Sequence, residues 1–224
     1  MKSDLSSGFL WCAAFLGVTA LVSWILPAGL WFVGIPVFAA TILTSFFYYV
    51  MRRKVPWQLE LPPGRTSAAE TDFRSILVIP AVGAGIFALG QVSPQAPWPM
   101  RDGIDLIAAF ISMVVLGPVS EEIFFRGLLL NEMRRTNISI WAGTALFAVS
   151  HLNPAVFLFA FASGLVLAHV ASWTGSLGPS IAIHSISNLL TVLTWAGWIL
   201  APGMIVIAGL VLAGGCALVV LRRV

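Results

Sequence analysis

Apolar residues run through this chain in blocks far longer than a soluble fold uses. No Asp, Glu, Lys or Arg occurs from Leu5 to Met51, or from Thr136 to Leu221. One membrane-crossing helix needs about 20 apolar residues, so each block must cross more than once. Breaks fall at Pro27, the basic stretch up to Pro63, Pro94 to Pro99, Thr136-Asn137, Asn153-Pro154, Gly175 to Pro179 and Pro202-Gly203. Such Pro and Gly punctuation predicts eight helices, near residues 8–27, 30–50, 75–92, 104–134, 138–152, 155–173, 179–198 and 202–221. The segment 138–152 is below the usual ~17-residue minimum for a span, which predicts a tilted or re-entrant helix. The expected fold is all-α: a polytopic transmembrane helical bundle forming one integral membrane domain over residues 1–224.

Composition agrees with the pattern. Hydrophobic residues make up 59% of the chain and charged ones 9%, against roughly 25% charged in soluble domains, so no soluble domain fits in what remains. Charge placement then sets the orientation. Lys2, Arg52, Arg53, Lys54, Arg65, Arg74, Arg134, Arg135, Arg222 and Arg223 fall on one side of the predicted bundle. Arg101 falls on the other, and Arg126 lies inside a helix. Cytoplasmic loops carry the excess of Lys and Arg, so both termini are expected in the cytoplasm. The net charge of +3 therefore serves topology, and lipids rather than nucleic acid are the expected partners. A prokaryotic cell membrane is the expected location. Lys2 before an apolar run resembles a secretory signal, but Asp4, the length of the run and the second apolar segment favour an uncleaved first helix. Cys12 and Cys216 form no disulfide or CxxC pattern and read as small apolar fillers. The loop 52–74, with Trp57, Leu59 and Leu61, reads as a cytoplasmic segment at the lipid interface.

Against this background a few polar groups stand out. Glu121 and Glu122 open the string Glu121-Glu122-Ile123-Phe124-Phe125-Arg126-Gly127, just after an uncharged run from Leu106 to Leu116. A carboxylate at membrane depth costs about 2.5–3.5 kcal/mol on insertion scales. Glu122 and Arg126, at i and i+4, can pair, which would serve as plain structural glue. One glutamate suffices for that pair, however. Glu121 projects about 100° away on the helix, so a carboxylate is left over. All three histidines are also in apolar segments. His151 follows Phe147 at i+4, and His184 precedes Asn188 by the same spacing. Singly, each could be an interhelical hydrogen-bonding group worth about 0.6–2 kcal/mol. Together with the glutamates they predict one interior site built from three helices. His169 has no polar partner at i±4 and is expected at the interface, outside the site. Phe147 is expected to shape the pocket beside His151.

The strings Glu121-Glu122…Arg126, Phe147…His151 and His184…Asn188 resemble the EExxxR, FxxxH and HxxxN motifs of the CPBP family, the CAAX protease and bacteriocin-processing (Abi) membrane proteins that include type II CAAX prenyl endopeptidases. Arg126-Gly127-Leu128-Leu129 and Trp173-Thr174-Gly175-Ser176-Leu177 are similar as flanks, and the resemblance covers residues 106–190. The chain departs from it in lacking a charge just before Thr174-Gly175. What the resemblance implies is an intramembrane endopeptidase acting on a membrane-associated protein or peptide, CAAX-type or other. On that basis Glu121 and His151 would activate water, and Glu122, paired with Arg126, would support Glu121. His184 and Asn188 would donate to the oxyanion. By helix rise, Glu121 and His151 stand about 20 Å and His184 about 8 Å from their predicted cytoplasmic ends, so a cavity shared by them is expected to be funnel-shaped and to open to the cytoplasm.

Two alternatives use the same residues. Glu121, His151 and His184 could hold zinc, with Glu122 as base, although no HExxH pairing is present. No cofactor is expected on the favoured, metal-free reading. Buried Glu and His also suit a proton-coupled transporter, but no inverted repeat is visible. A non-catalytic immunity or scaffold protein should have lost a motif residue, and none is lost.

Overall fold

A computed structural model describes residues 5–25, 34–52, 83, 85, 86, 90, 103–133, 137–151 and 153–198. Regular structure among them is all helical, with no strand. The helices are α1 (Leu5–Ile25), α2 (Gly34–Arg52), a long α3 (Gly103–Glu132), α4 (Asn137–Ser150), α5 (Pro154–Thr174) and α6 (Leu177–Trp195). They coincide with six of the segments read from the sequence. The third segment is described only at Gly83, Gly85, Ile86 and Gly90, which are helical. The segment 202–221, the loop beyond Arg52, Cys216 and both chain ends lie outside the described residues.

Four helices are long and apolar enough to cross a membrane: Ser7–Ile25, Gly103–Glu132, Pro154–Thr174 and Leu177–Trp195. The protein is an integral membrane protein. The 14 residues of α4, at 1.5 Å each, span about 21 Å and fall short of a bilayer core of about 30 Å. Exposed Trp24 and Trp198 lie at one end of the bundle, and exposed Trp141 and Trp173 near the other. Trp favours both membrane–water interfaces.

Local chemistry fixes the directions of the last three helices. The Asn153 side chain accepts from the Ala155 N–H, and Pro154 takes the first helical position, where its missing N–H costs nothing. Gly175, at φ 67°, closes α5 in the left-handed conformation that glycine adopts without strain. The Ser176 side chain then caps α6 through the Gly178 N–H. Two-residue and three-residue turns of this kind force α4, α5 and α6 to alternate in direction.

Contacts align the rest. Ser7 donates to Glu132 at 2.6 Å, so the start of α1 meets the end of α3. Trp11 packs on Tyr48, so it also meets the end of α2. One face of the bundle therefore carries the starts of α1, α4 and α6 and the ends of α2, α3 and α5. Because Arg52 ends α2 and Arg134-Arg135 follow α3, we term it the basic face and its opposite the distal face. Near mid-depth, Phe15 stacks on Phe124 at 4.0 Å. Phe125 bridges on to Phe147 at 5.2 Å, which ties α1, α3 and α4 into one apolar core.

The α3 helix is not uniform. Phe110–Leu116 and Glu122–Leu129 are π-helical. The Gly117 N–H reaches back five residues to Ser112, and the Leu130 N–H does the same to Phe125. Such widened turns are rare and collect at functional sites. Here the second begins on the paired glutamates.

Candidate active site

The paired acids have different surroundings. Glu122 is wholly buried; its Oε1 forms an ion pair with Arg126 Nη1 at 3.0 Å and accepts a hydrogen bond from His184 Nδ1 at 3.1 Å. Arg126 is equally buried. Its Nη2 donates to the Gly164 carbonyl at 3.3 Å, and its guanidinium carbon lies 4.1 Å from the Phe147 ring centroid. The planar, weakly hydrated guanidinium suits this combination of fork and face contacts. Glu121 is turned away from the pair, 22% exposed, with Oε2 3.8 Å from His184 Nε2. That separation is too long for a hydrogen bond.

Each histidine is held through its Nδ1. A carbonyl only accepts, so His151 donates its Nδ1–H to Phe147 O at 2.9 Å. In the neutral ring this leaves Nε2 as a lone-pair acceptor, fit to take a proton. His184 likewise donates Nδ1–H to Glu122, and its Nε2 faces Glu121. The Phe147 ring stands edge-on to both imidazoles, with centroids 4.9 Å from His151 and 6.2 Å from His184.

Asn188 donates from Nδ2 to the Met113 carbonyl at 2.8 Å. The need for that bond follows from the sequence. In the first π segment the Gly117 N–H goes to Ser112, and the next residue, Pro118, has no N–H to give. The Met113 carbonyl is thus deprived of both its usual helical donors, and the Asn188 amide supplies one. The second amide hydrogen of Asn188 remains for another acceptor.

Glu121, His151, His184 and Asn188 line one cavity of about 270 Å³, with Phe147 in its wall. Glu122 and Arg126 lie behind that wall. His169 is exposed, bonds the Leu165 carbonyl on its own helix and does not line the cavity. Among the described residues, no three His, Cys, Asp or Glu side chains stand as a group able to hold a metal ion. Glu121, His151 and His184 share the cavity.

One contributor escaped the sequence reading. A Cβ on Gly164 would come within 2.9 Å of Phe147, 3.0 Å of Thr144 and 3.3 Å of Arg126 Nη2. The bare glycine lets α4 and α5 close on the arginine. Its signal was the run of small residues Ala160, Gly164, Ala168 and Ala171, the kind of stripe along which membrane helices approach closely.

A membrane-embedded helical bundle with carboxylates, imidazoles and an amide around one internal cavity is the class that fold and site define. Residues 103–190 match the family model described as type II CAAX prenyl endopeptidase Rce1-like. The matched segment holds all three motif strings, Glu121-Glu122…Arg126, Phe147…His151 and His184…Asn188. No curated protein and no solved structure matches the chain.

Proposed function

We propose that this protein is an intramembrane endopeptidase of the glutamate type, a bundle of eight helices with both termini in the cytoplasm. The observation that carries the proposal is the meeting of Glu121, His151, His184 and Asn188 on one cavity. Glu121 and His151 Nε2 bind a water and take its proton, a general-base role open to either group. The hydroxide adds to the scissile carbonyl carbon, and the carbonyl π electrons move to oxygen. His184, through an Nε2–H, and Asn188, through its second amide hydrogen, donate to that oxyanion. With Nδ1–H already given to Glu122, His184 needs both ring protons for this role. Collapse of the tetrahedral intermediate breaks the C–N bond, and the stored proton passes to the leaving amine. Glu122 and Arg126 touch no reacting atom; they hold His184 and the widened turn in place.

The test compares peptides released from membranes carrying wild type or Glu121→Gln. Cleavage products should vanish with Glu121→Gln while the variant remains inserted and folded. Products that persist would overturn the proteolytic assignment. The mechanism as written needs no metal. Exhaustive chelation should leave cleavage intact, and loss of activity that returns on adding zinc would replace the glutamate mechanism with a metal-dependent one.

A further inference from the structure

We infer that Ser112 and Ser187 are positioning residues, whose hydroxyls hold the main chain of an unwound substrate beside the bond that is cut. The inference rests on the proteolytic proposal for that bond, and on geometry for the contact. Among the described residues, four hydroxyl side chains line the cavity: Ser112, Ser163, Ser187 and Thr191. Two are already in use on their own helices. Ser163 donates to the Ala160 carbonyl at 3.2 Å and Thr191 to the Ser187 carbonyl at 3.1 Å, the back-bonding open to any Ser or Thr inside a helix. Ser112 and Ser187 do not back-bond. Each is 2% exposed, each lines the cavity, and neither hydroxyl has a hydrogen-bond partner among the described residues.

The Asn188–Met113 bond sets their location. Asn188 reaches from α6 to the Met113 carbonyl on α3, and the two serines immediately precede these two residues in the chain. Both therefore stand within about one helical turn, roughly 5.4 Å, of that bond. Asn188 is also the donor assigned to the oxyanion, so the hydroxyls adjoin the scissile carbonyl without replacing its donors. In an extended chain the next residue lies about 3.3 Å further on, which is within that distance.

What these hydroxyls would take follows from what hydrolysis requires. In a helix each carbonyl carbon is screened by side chains and by the next turn, so a substrate must be unwound where it is cut. Unwinding frees N–H and C=O groups, which find no water in a membrane interior and carry a penalty until the protein supplies partners. A serine hydroxyl both donates and accepts, so it pairs with either group. It carries no charge and makes no demand on the side chains of the peptide. The substrate class is thus a peptide with a break in its helix, held at this point through its main chain.

The test separates binding from cleavage. The binding probe is a fluorescent transmembrane peptide of leucine and alanine with a central Gly-Pro break, since proline leaves a helix carbonyl without its donor. Its affinity for Glu121→Gln protein in detergent is measured by anisotropy, beside that of the same peptide without the break. Adding Ser112→Ala or Ser187→Ala should weaken binding of the broken peptide about fivefold each, the effect of losing one neutral hydrogen bond, and leave the unbroken peptide unaffected. Ser163→Ala removes a hydroxyl already spent on its own helix and should match the parent. With Glu121 restored, the two alanines should raise KM for the substrate found in the Glu121→Gln comparison and leave kcat and melting temperature unchanged, the signature of a contact made equally in ground and transition states. No binding of the broken peptide, affinities that ignore Ser112 and Ser187, or an equal loss with Ser163→Ala would overturn the inference. Cleavage that still depends on Glu121 would then leave the protease reading standing. A fall in kcat and melting temperature with KM unchanged would mark the serines as structural and overturn the inference as well. Serine-dependent binding without Glu121-dependent cleavage would keep the subsite and remove only the assignment as a protease.

Discussion

Asn188 holds two positions at once, and a pair of substitutions separates them. Asn188→Ala removes an oxyanion donor, a loss worth about 10²–10³ in kcat. It also leaves the Met113 carbonyl without a donor, at a cost of about 1–3 kcal/mol for a buried polar group. Adding Pro118→Ala restores an N–H beside that carbonyl. The double variant should recover thermal stability in detergent while its cleavage rate stays low. If it is no more stable than Asn188→Ala alone, Met113 does not depend on the amide. Arg126 is the other residue with a large expected effect. Removing one member of a buried ion pair strands its partner, at about 3–5 kcal/mol. Arg126→Gln should therefore unfold more readily than Glu122→Gln/Arg126→Gln, which strands no charge. The Glu122–Arg126 pair was legible because i, i+4 spacing fixes it locally. The bond from His184 to Glu122 was not, because it joins residues 62 apart and no local period reports it.

At the level of single helices, the two widened turns in α3 and the close approach of α4 and α5 were hidden from the sequence. An apolar run has the same appearance whether it winds with i→i+4 or i→i+5 bonds. Helix positions were easier, since proline, glycine and charge mark the ends of apolar runs. Asn153-Pro154 and Gly175-Ser176 became caps where the sequence placed breaks. The α4–α5 contact can be tested by two glycines that share a chemistry and differ in surroundings. Gly164→Ala must push against Phe147, Thr144 and Arg126, and overpacking of this kind costs about 1–3 kcal/mol. Gly17→Ala, on α1, meets nothing within 4 Å and replaces a poor helix former with the best one. The first should lower both melting temperature and cleavage rate, and the second should leave both unchanged or raise stability slightly. Equal effects would remove Gly164 from the site's support.

For the molecule as a whole, charge asymmetry predicts that a reporter fused after Val224 is active only in its cytoplasmic form. Activity only outside would invert the bundle. The full lining of the cavity was beyond the reach of the sequence. Motif spacing brought the polar residues together, but lining residues such as Val37 and Val156 come from helices that carry no motif. The Glu122–Arg126 contact has a last consequence, for biogenesis. Each charged residue raises the barrier to helix insertion by about 2.5–3.5 kcal/mol. The nascent chain delivers α3 to the bilayer before α6, and His184 with it, has been synthesised. Its partner four residues on is the one counter-ion Glu122 can count on during that interval. A bond that looks like a support for catalysis in the finished protein is thus also an entry permit, making the charged helix tolerable to the membrane before any of its tertiary neighbours exist.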